Sequence, residues 1–125
     1  MENVVLCIGG SDPSGGAGIQ ADQSVLIGHG VKGIFAVTAV TAQNNEEILS
    51  IHPTPADVLT QQISTACKDR TVVAVKIGMV ASKANVQAIA WFLRRSNVQN
   101  VIIDPVMHSS SGASLLDQDA YQLYR

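Results

Sequence analysis

Gly9-Gly10-Ser11-Asp12-Pro13-Ser14-Gly15-Gly16-Ala17-Gly18-Ile19-Gln20-Ala21-Asp22 is the stretch from which the rest of the chain is read. Before it stands Val4-Val5-Leu6-Cys7-Ile8, an apolar run whose length and branching suit a buried strand. After it the residues continue as a helix with Ile19, Val25 and Leu26 on one side. The unit is therefore strand, glycine-rich loop, helix. Such a loop lets backbone approach a ligand closely, because no Cβ intervenes. The helix start beyond it offers unpaired N–H groups and a positive dipole end to an electron-rich group. A small polar or anionic ligand is expected here.

Two familiar glycine-loop chemistries do not fit. A P-loop needs a lysine after its last glycine, and no lysine occurs between Met1 and Val31. A dinucleotide fingerprint can be laid on Gly16 to Ala21, but its first glycine should close the strand directly. Here Gly9 to Gly15 intervene, and the acids Glu46 and Glu47 come too late for a ribose. A connection with no ligand is the bland alternative; five glycines, a proline and two acids in this one stretch speak against it.

Across its 125 residues the chain is 46% hydrophobic and only 14% charged, which suits one compact α/β domain with strands covered on both faces. A net charge of −2 and no basic cluster beyond Arg94-Arg95 argue against nucleic acid as a partner. Cys7 in a strand and Cys67 late in a helix make no disulfide framework, so reduced thiols and a cytoplasmic setting are expected. The first residues lack the charged start of a signal peptide, and no apolar run approaches a membrane span of about 20 residues.

Gly28-His29-Gly30 should end the first helix, and Val31 to Gln43 reads as a second strand. Its end turns polar at Gln43 and Asn44; in an open parallel sheet, ligands sit outside the carboxyl ends of strands. A side-chain amide there offers both a donor and an acceptor to a ligand, or simply faces water. Glu46 to His52 reads as a short connection or a small excursion from the sheet. Thr54 is expected to cap a helix with Pro55 at its first position, and Val58, Leu59, Ile63, Ala66 and Cys67 form its buried stripe.

Val72 to Met79 reads as a third strand, in which Lys76 must reach a partner or snorkel to solvent. Met79 at its carboxyl end is either a core residue or an apolar wall for a planar ring. Ser82 should cap a further helix with Val86, Ile89, Ala90 and Leu93 inward, and Val101 to Ile103 make a fourth strand. Asp104, before Pro105, either caps that turn or holds a metal–phosphate complex through water. His108 to Gly112 form a loop, a candidate lid. Asp117 to Arg125 start like a helix and stop, so the chain reads as cut rather than finished. His29, His52 and His108 show no metal-ligand spacing.

Gly10 to Asp22 resembles the opening signature of the hydroxymethylpyrimidine/phosphomethylpyrimidine kinases, thiamine-pathway enzymes of the ribokinase-like superfamily. Thr38 to Asn44, Lys76 to Met79 and Asp104 to Met107 agree with the same family in order and spacing. The resemblance implies a three-layer α/β/α ribokinase-like parallel sheet, truncated, with residues 1–125 forming the N-terminal, substrate-binding half of one kinase domain. It implies ATP-dependent phosphorylation of 4-amino-5-hydroxymethyl-2-methylpyrimidine and then of its monophosphate. On that resemblance Gly10, Ala17, Asp22, Gln43, Met79 and Val106 surround the pyrimidine, and Asp104 lies near phosphates and Mg2+. The family's anion hole, catalytic base and most of its ATP site belong to a second half, so no catalytic residue is expected in this chain. A pyridoxine/pyridoxal kinase is the alternative within the class, against which Gln43 weighs; a non-catalytic pyrimidine-binding module is the alternative outside it. Family members commonly form dimers, which admits a homodimer here.

Overall fold

The computed structural model describes residues 1–104. Its elements are β1 (Glu2–Ser11), α1 (Gly18–Gly28), β2 (Gly33–Gln43), β3 (Ile48–Pro53), α2 (Ala56–Cys67), β4 (Arg70–Ile77), α3 (Lys83–Arg95) and β5 (Val101–Ile103). The strands form one sheet in the order β3-β2-β1-β4-β5. β1 runs parallel to β2 and β4, and β5 runs parallel to β4. The expected α/β architecture is what the chain adopts.

β1 lies between two parallel neighbours, which explains its unbroken apolar run. Its alternate residues serve different layers. Val4, Leu6 and Ile8 join Ile34, Ala36, Val75 and Ile77 in a core closed by Leu59 and Ile63 of α2 and Ile89 of α3. Leu6, Ile8 and Leu59 are wholly buried, each contributing about 1.5–3 kcal/mol. The opposite face carries Cys7, Phe35 and Lys76 in register, under α1. There Ile19 lies over Gly9, and Asp22 reaches Lys76. Helices thus cover both faces, as the three-layer expectation requires.

Four details differ from the sequence reading. Residues Ile48–Pro53 form a real strand, β3, which pairs antiparallel with β2, so the sheet is mixed. The turn before it explains the reversal: Asn44 Oδ1 accepts from Glu46 N at 2.8 Å and Glu47 N at 3.0 Å, folding the chain straight back. Thr54 does not cap α2. Pro55 holds the cap position without a side-chain bond, and the Thr54 hydroxyl donates instead to Val37 O at 2.8 Å, tying the β3–α2 connection to β2. Val25 of α1 is exposed, because its spacing from Ile19 carries it off that face while Leu26 returns to it. Val58 stands just outside the α2 stripe and is also exposed.

The remaining punctuation agrees. His29 caps α1, followed by Gly30 at φ +69°, and Ser82 Oγ caps α3 by accepting from Asn85 N at 3.1 Å. Arg94 and Arg95 occupy the last turn of α3, where Arg95 stacks over Trp91 at 4.1 Å. Val106, the loop His108 to Gly112 and the segment Asp117 to Arg125 lie outside the described residues. Among the described residues, no helix is long and apolar enough to cross a membrane.

Candidate functional site

The parallel strands β1, β2, β4 and β5 end at one edge of the sheet, and the polar residues singled out in the sequence lie along it. Gly10 is near the end of β1, Gln43 closes β2, Met79 follows β4 and Asp104 follows β5. Two backbone bonds align the last two of these ends: Gly78 N donates to Ile8 O of β1 at 2.8 Å, and Asp104 N to Ile77 O of β4 at 2.8 Å. This is the crevice in which open α/β sheets bind ligands.

The glycine loop is built around Asp12, which is 3% exposed. Its Oδ1 accepts from Ser14 N at 2.9 Å and the Ser14 hydroxyl at 2.7 Å; its Oδ2 accepts from Ala17 N at 2.9 Å. Burial pushes the Asp12 carboxyl up, but the hydrogen bonds from Ser14, Ala17 and Gly16 outweigh it and hold the group below its ordinary range. Ala17 offers no capping side chain at the start of α1, so the carboxylate of Asp12 supplies from outside what a capping residue would. Gln20 locks the other side: Asp12 N donates to its Oε1 at 2.8 Å, and its Nε2 donates to Ser11 Oγ at 2.8 Å.

Glycine is required at two points. Gly18 takes φ +63°, and a Cβ there would drive into the Gly10 carbonyl. A Cβ on Gly10 would come within 2.8 Å of Met79 Sδ. The absent side chain of Gly10 is what lets the thioether lie across the end of β1, so these two expected site residues are brought into contact.

Met79 is held by a buried polar network from the other side of the sheet. The Thr38 hydroxyl donates to Met79 O at 2.6 Å, and Asn85 Nδ2 donates to Val80 O at 3.0 Å and Thr38 O at 3.3 Å. Asn85 is wholly buried, and its Oδ1 has no partner among the described residues. Ala81, two residues past Met79, adopts φ +75°, a left-handed conformation alanine rarely takes. The turn that carries Met79 is thus strained and pinned, as turns at functional sites often are.

Gln43 Nε2 donates to Thr41 Oγ1 at 2.8 Å, and the Thr41 hydroxyl donates to Ser11 O at 2.7 Å. The relay ties the amide to the end of β1, and its carbonyl oxygen has no hydrogen-bond partner among the described residues. Asn44, by contrast, spends its carbonyl on the β2–β3 turn. Asp22 pairs with Lys76, whose Nζ stands 2.9 Å and 3.1 Å from the two carboxylate oxygens. Lys76 therefore finds a partner rather than snorkelling to solvent. Beside that pair, burial, reinforced by Asp22 and opposed by Lys76, pushes the Cys7 thiol up to about 11, which makes it an inert core residue.

Asp104 is exposed at the end of β5. Among the described residues, no three His, Cys, Asp or Glu side chains converge to hold a metal ion. A single exposed carboxylate fits the demands of Mg2+, which keeps most of its waters and leans on substrate phosphates. An apolar groove between α2 and α3, lined by Thr60, Ile63, Ser64, Ala88, Trp91 and Phe92, involves none of these groups.

The sequence marks Lys76 only as a charge in need of a partner, and gives no site role to Asp12 or Gln20. Asp12 carried a signal, an acid inside a glycine loop just before a proline. Gln20 and Lys76 act through partners that only the fold identifies.

Comparison with known proteins bears on this geometry. The family model described as phosphomethylpyrimidine kinase matches residues 12–125. The chain is 42% identical over 120 residues to the hydroxymethylpyrimidine/phosphomethylpyrimidine kinase of Rhizobium meliloti, covering 96% of this chain and 45% of that protein. Its fold matches the crystal structure of phosphomethylpyrimidine kinase (thiD) from Clostridium difficile 630 with a TM-score of 0.86 and 36% identity, over 98% of this chain and 52% of that one. Pyridoxal kinase from Staphylococcus aureus, in complex with AMP-PCP and pyridoxal, matches with a TM-score of 0.74 and 31% identity, over 89% of this chain and 41% of that one. The chain thus spans about half the length of these proteins.

Proposed function

The chain belongs to the phosphomethylpyrimidine kinase family, and from that premise we propose that it carries the substrate-binding half of a thiamine-pathway kinase. The reaction is ATP-dependent phosphorylation of 4-amino-5-hydroxymethyl-2-methylpyrimidine and then of its monophosphate. The observation that carries this reading is the grouping of Gly10, Met79 and Gln43 at adjoining strand ends beside a loop pinned by Asp12. Met79 offers an apolar face to a flat ring, Gln43 offers an acceptor to an exocyclic amine, and the start of α1 offers N–H groups to a hydroxyl or phosphate. Ala17 sits at that helix start, and Asp22 follows one turn later. Val106, expected on the same ring, completes the proposed set from outside the described residues.

Phosphoryl transfer needs positioning and neutralisation of charge more than covalent help from the protein. In this reading the chain contributes positioning. Asp104 would approach Mg2+ through water, and ATP would be gripped chiefly by the part of the longer relatives that this chain does not span. The 125 residues alone then bind the pyrimidine without turning over ATP, and residues 1–125 act as one N-terminal half-domain. The pyridoxal alternative is less favoured, because Gln43 suits an aminopyrimidine edge better than a pyridine bearing a hydroxyl.

A thermal melt of the chain with 4-amino-5-hydroxymethyl-2-methylpyrimidine, and separately with pyridoxine, tests the proposal. A ligand that binds only the folded form raises the midpoint by mass action. The expected result is a rise with the pyrimidine and little or none with pyridoxine. A rise with pyridoxine alone would overturn the substrate assignment.

A further inference from the structure

We propose that Lys76 is a positioning residue for the pyrimidine: its ammonium fixes the Asp22 carboxylate in the one orientation that presents it to the strand-end crevice. The inference deepens the function proposed above and rests on it. Lys76 is the one charged residue of the β4 stretch Thr71 to Ile77, and lies in register with Cys7 of β1 and Ile102 of β5 on the α1 face. A lysine in that place has two outlets: it can lie across the sheet into solvent, or bend toward α1. It bends toward α1, and Nζ bonds both oxygens of Asp22, at 2.9 Å and 3.1 Å. The side chains are 27% and 17% exposed, so neither charge is freely solvated.

The ammonium also points toward the ligand end of its strand. A Cβ on Gly78 would stand 3.2 Å from Nζ, which places the charge beside the residue immediately before Met79. The pair therefore lies alongside the Gly10–Met79 contact rather than deep under α1. One ammonium spanning both oxygens stops the carboxylate from rotating and uses only part of its acceptor capacity. The remaining lone pairs stay available, in fixed directions, for a donor on the bound ring or its hydroxymethyl group. α1 makes this necessary. It has no wholly buried residue, and its fastenings at Asp12 and Gln20 stop at its first turn, so beyond them Asp22 is held by the cross-layer bond. Arranging acceptors before the ligand arrives lowers the ordering cost of binding.

The test is a double-mutant cycle on binding. Affinity for 4-amino-5-hydroxymethyl-2-methylpyrimidine is measured by titration calorimetry for the chain, Lys76→Met, Asp22→Asn and the double variant, with cooperative melts checking the fold of each. Lys76→Arg is the fifth protein. Lys76→Met should weaken binding roughly five- to tenfold, and the same change should have little effect once Asp22 is Asn, the non-additivity expected of residues acting as a unit. If Lys76→Met alone folds poorly, the comparison of Asp22→Asn with the double variant, in which both charges are gone, still reads whether Lys76 acts apart from Asp22. Met matches the lysine stem better than Arg does, so a packing role predicts that Met binds at least as well as Arg. The positioning role predicts the reverse. Additive losses, or a folded Lys76→Met with unchanged affinity, would overturn the inference while leaving the proposed function standing. No binding by the unaltered chain would overturn both.

Discussion

The two helical layers of this molecule are built on different principles. On one face of the sheet, α2 and α3 press Leu59, Ile63 and Ile89 into a continuous apolar core. On the other, α1 buries no residue completely and is fastened through polar groups: the Asp12 carboxylate at its start, Gln20 in its first turn, and the Asp22–Lys76 pair in its middle. The first layer supplies stability, and the second supplies geometry. In the proposed function α1 presents N–H groups and a carboxylate to a ligand, and directional bonds hold such a helix better than non-directional packing, because hydrogen bonds specify orientation and apolar contact does not.

That contrast breaks most visibly at Leu59. Leu59→Ala removes a wholly buried side chain from the α2 layer and should cost about 2–5 kcal/mol, read as a fall in the midpoint of urea unfolding. A chain of this size tolerates such a loss poorly.

Asp12→Asn probes the polar fastening and should cost about 1–3 kcal/mol, since an amide nitrogen would face donors that now meet an oxygen. It also carries a pH signature. The Asp12 carboxyl is held below its ordinary range in the fold. Its contribution to stability is therefore complete above the unfolded carboxylate value of about 4 and disappears as pH falls through the lower folded value. Melting midpoints between pH 7 and acid should fall less steeply in Asp12→Asn than in the unaltered chain. Equal slopes would mean that Asp12 does not fasten the loop. At the small end, Ile27→Ala on the 68% exposed flank of α1 should shift stability by less than about 0.5 kcal/mol. A cost near that of Leu59→Ala would show that α1 is packed in a way its exposure contradicts.

The same division explains what could be read from sequence. The strands β1, β2, β4 and β5 and all three helices were legible, because each rests on a local pattern: an apolar run, a helical stripe, a capping serine at Ser82, a glycine exit at Gly30. β3 was not, because Ile48-Leu49-Ser50-Ile51 is short and half exposed, and its pairing depends on Asn44 closing a turn. The expected cap at Thr54 failed because its hydroxyl reaches the Val37 carbonyl of β2 and serves tertiary structure instead of its own helix. At the site, Gly10, Gln43 and Met79 were legible as strand-end residues. The Asp22–Lys76 pair was not, since its members lie 54 residues apart and meet only across layers.

In the proposed function, ligand chemistry belongs to the strand ends and the α1 layer, and not to the apolar layer. The direct measurement is amide chemical-shift mapping of the 125-residue chain as 4-amino-5-hydroxymethyl-2-methylpyrimidine is added. The largest perturbations should fall on Gly10, Ala17, Gln43 and Met79, with Thr60, Ser64 and Trp91 of the α2–α3 groove unmoved. Perturbations concentrated in that groove, with the glycine loop silent, would contradict that placement.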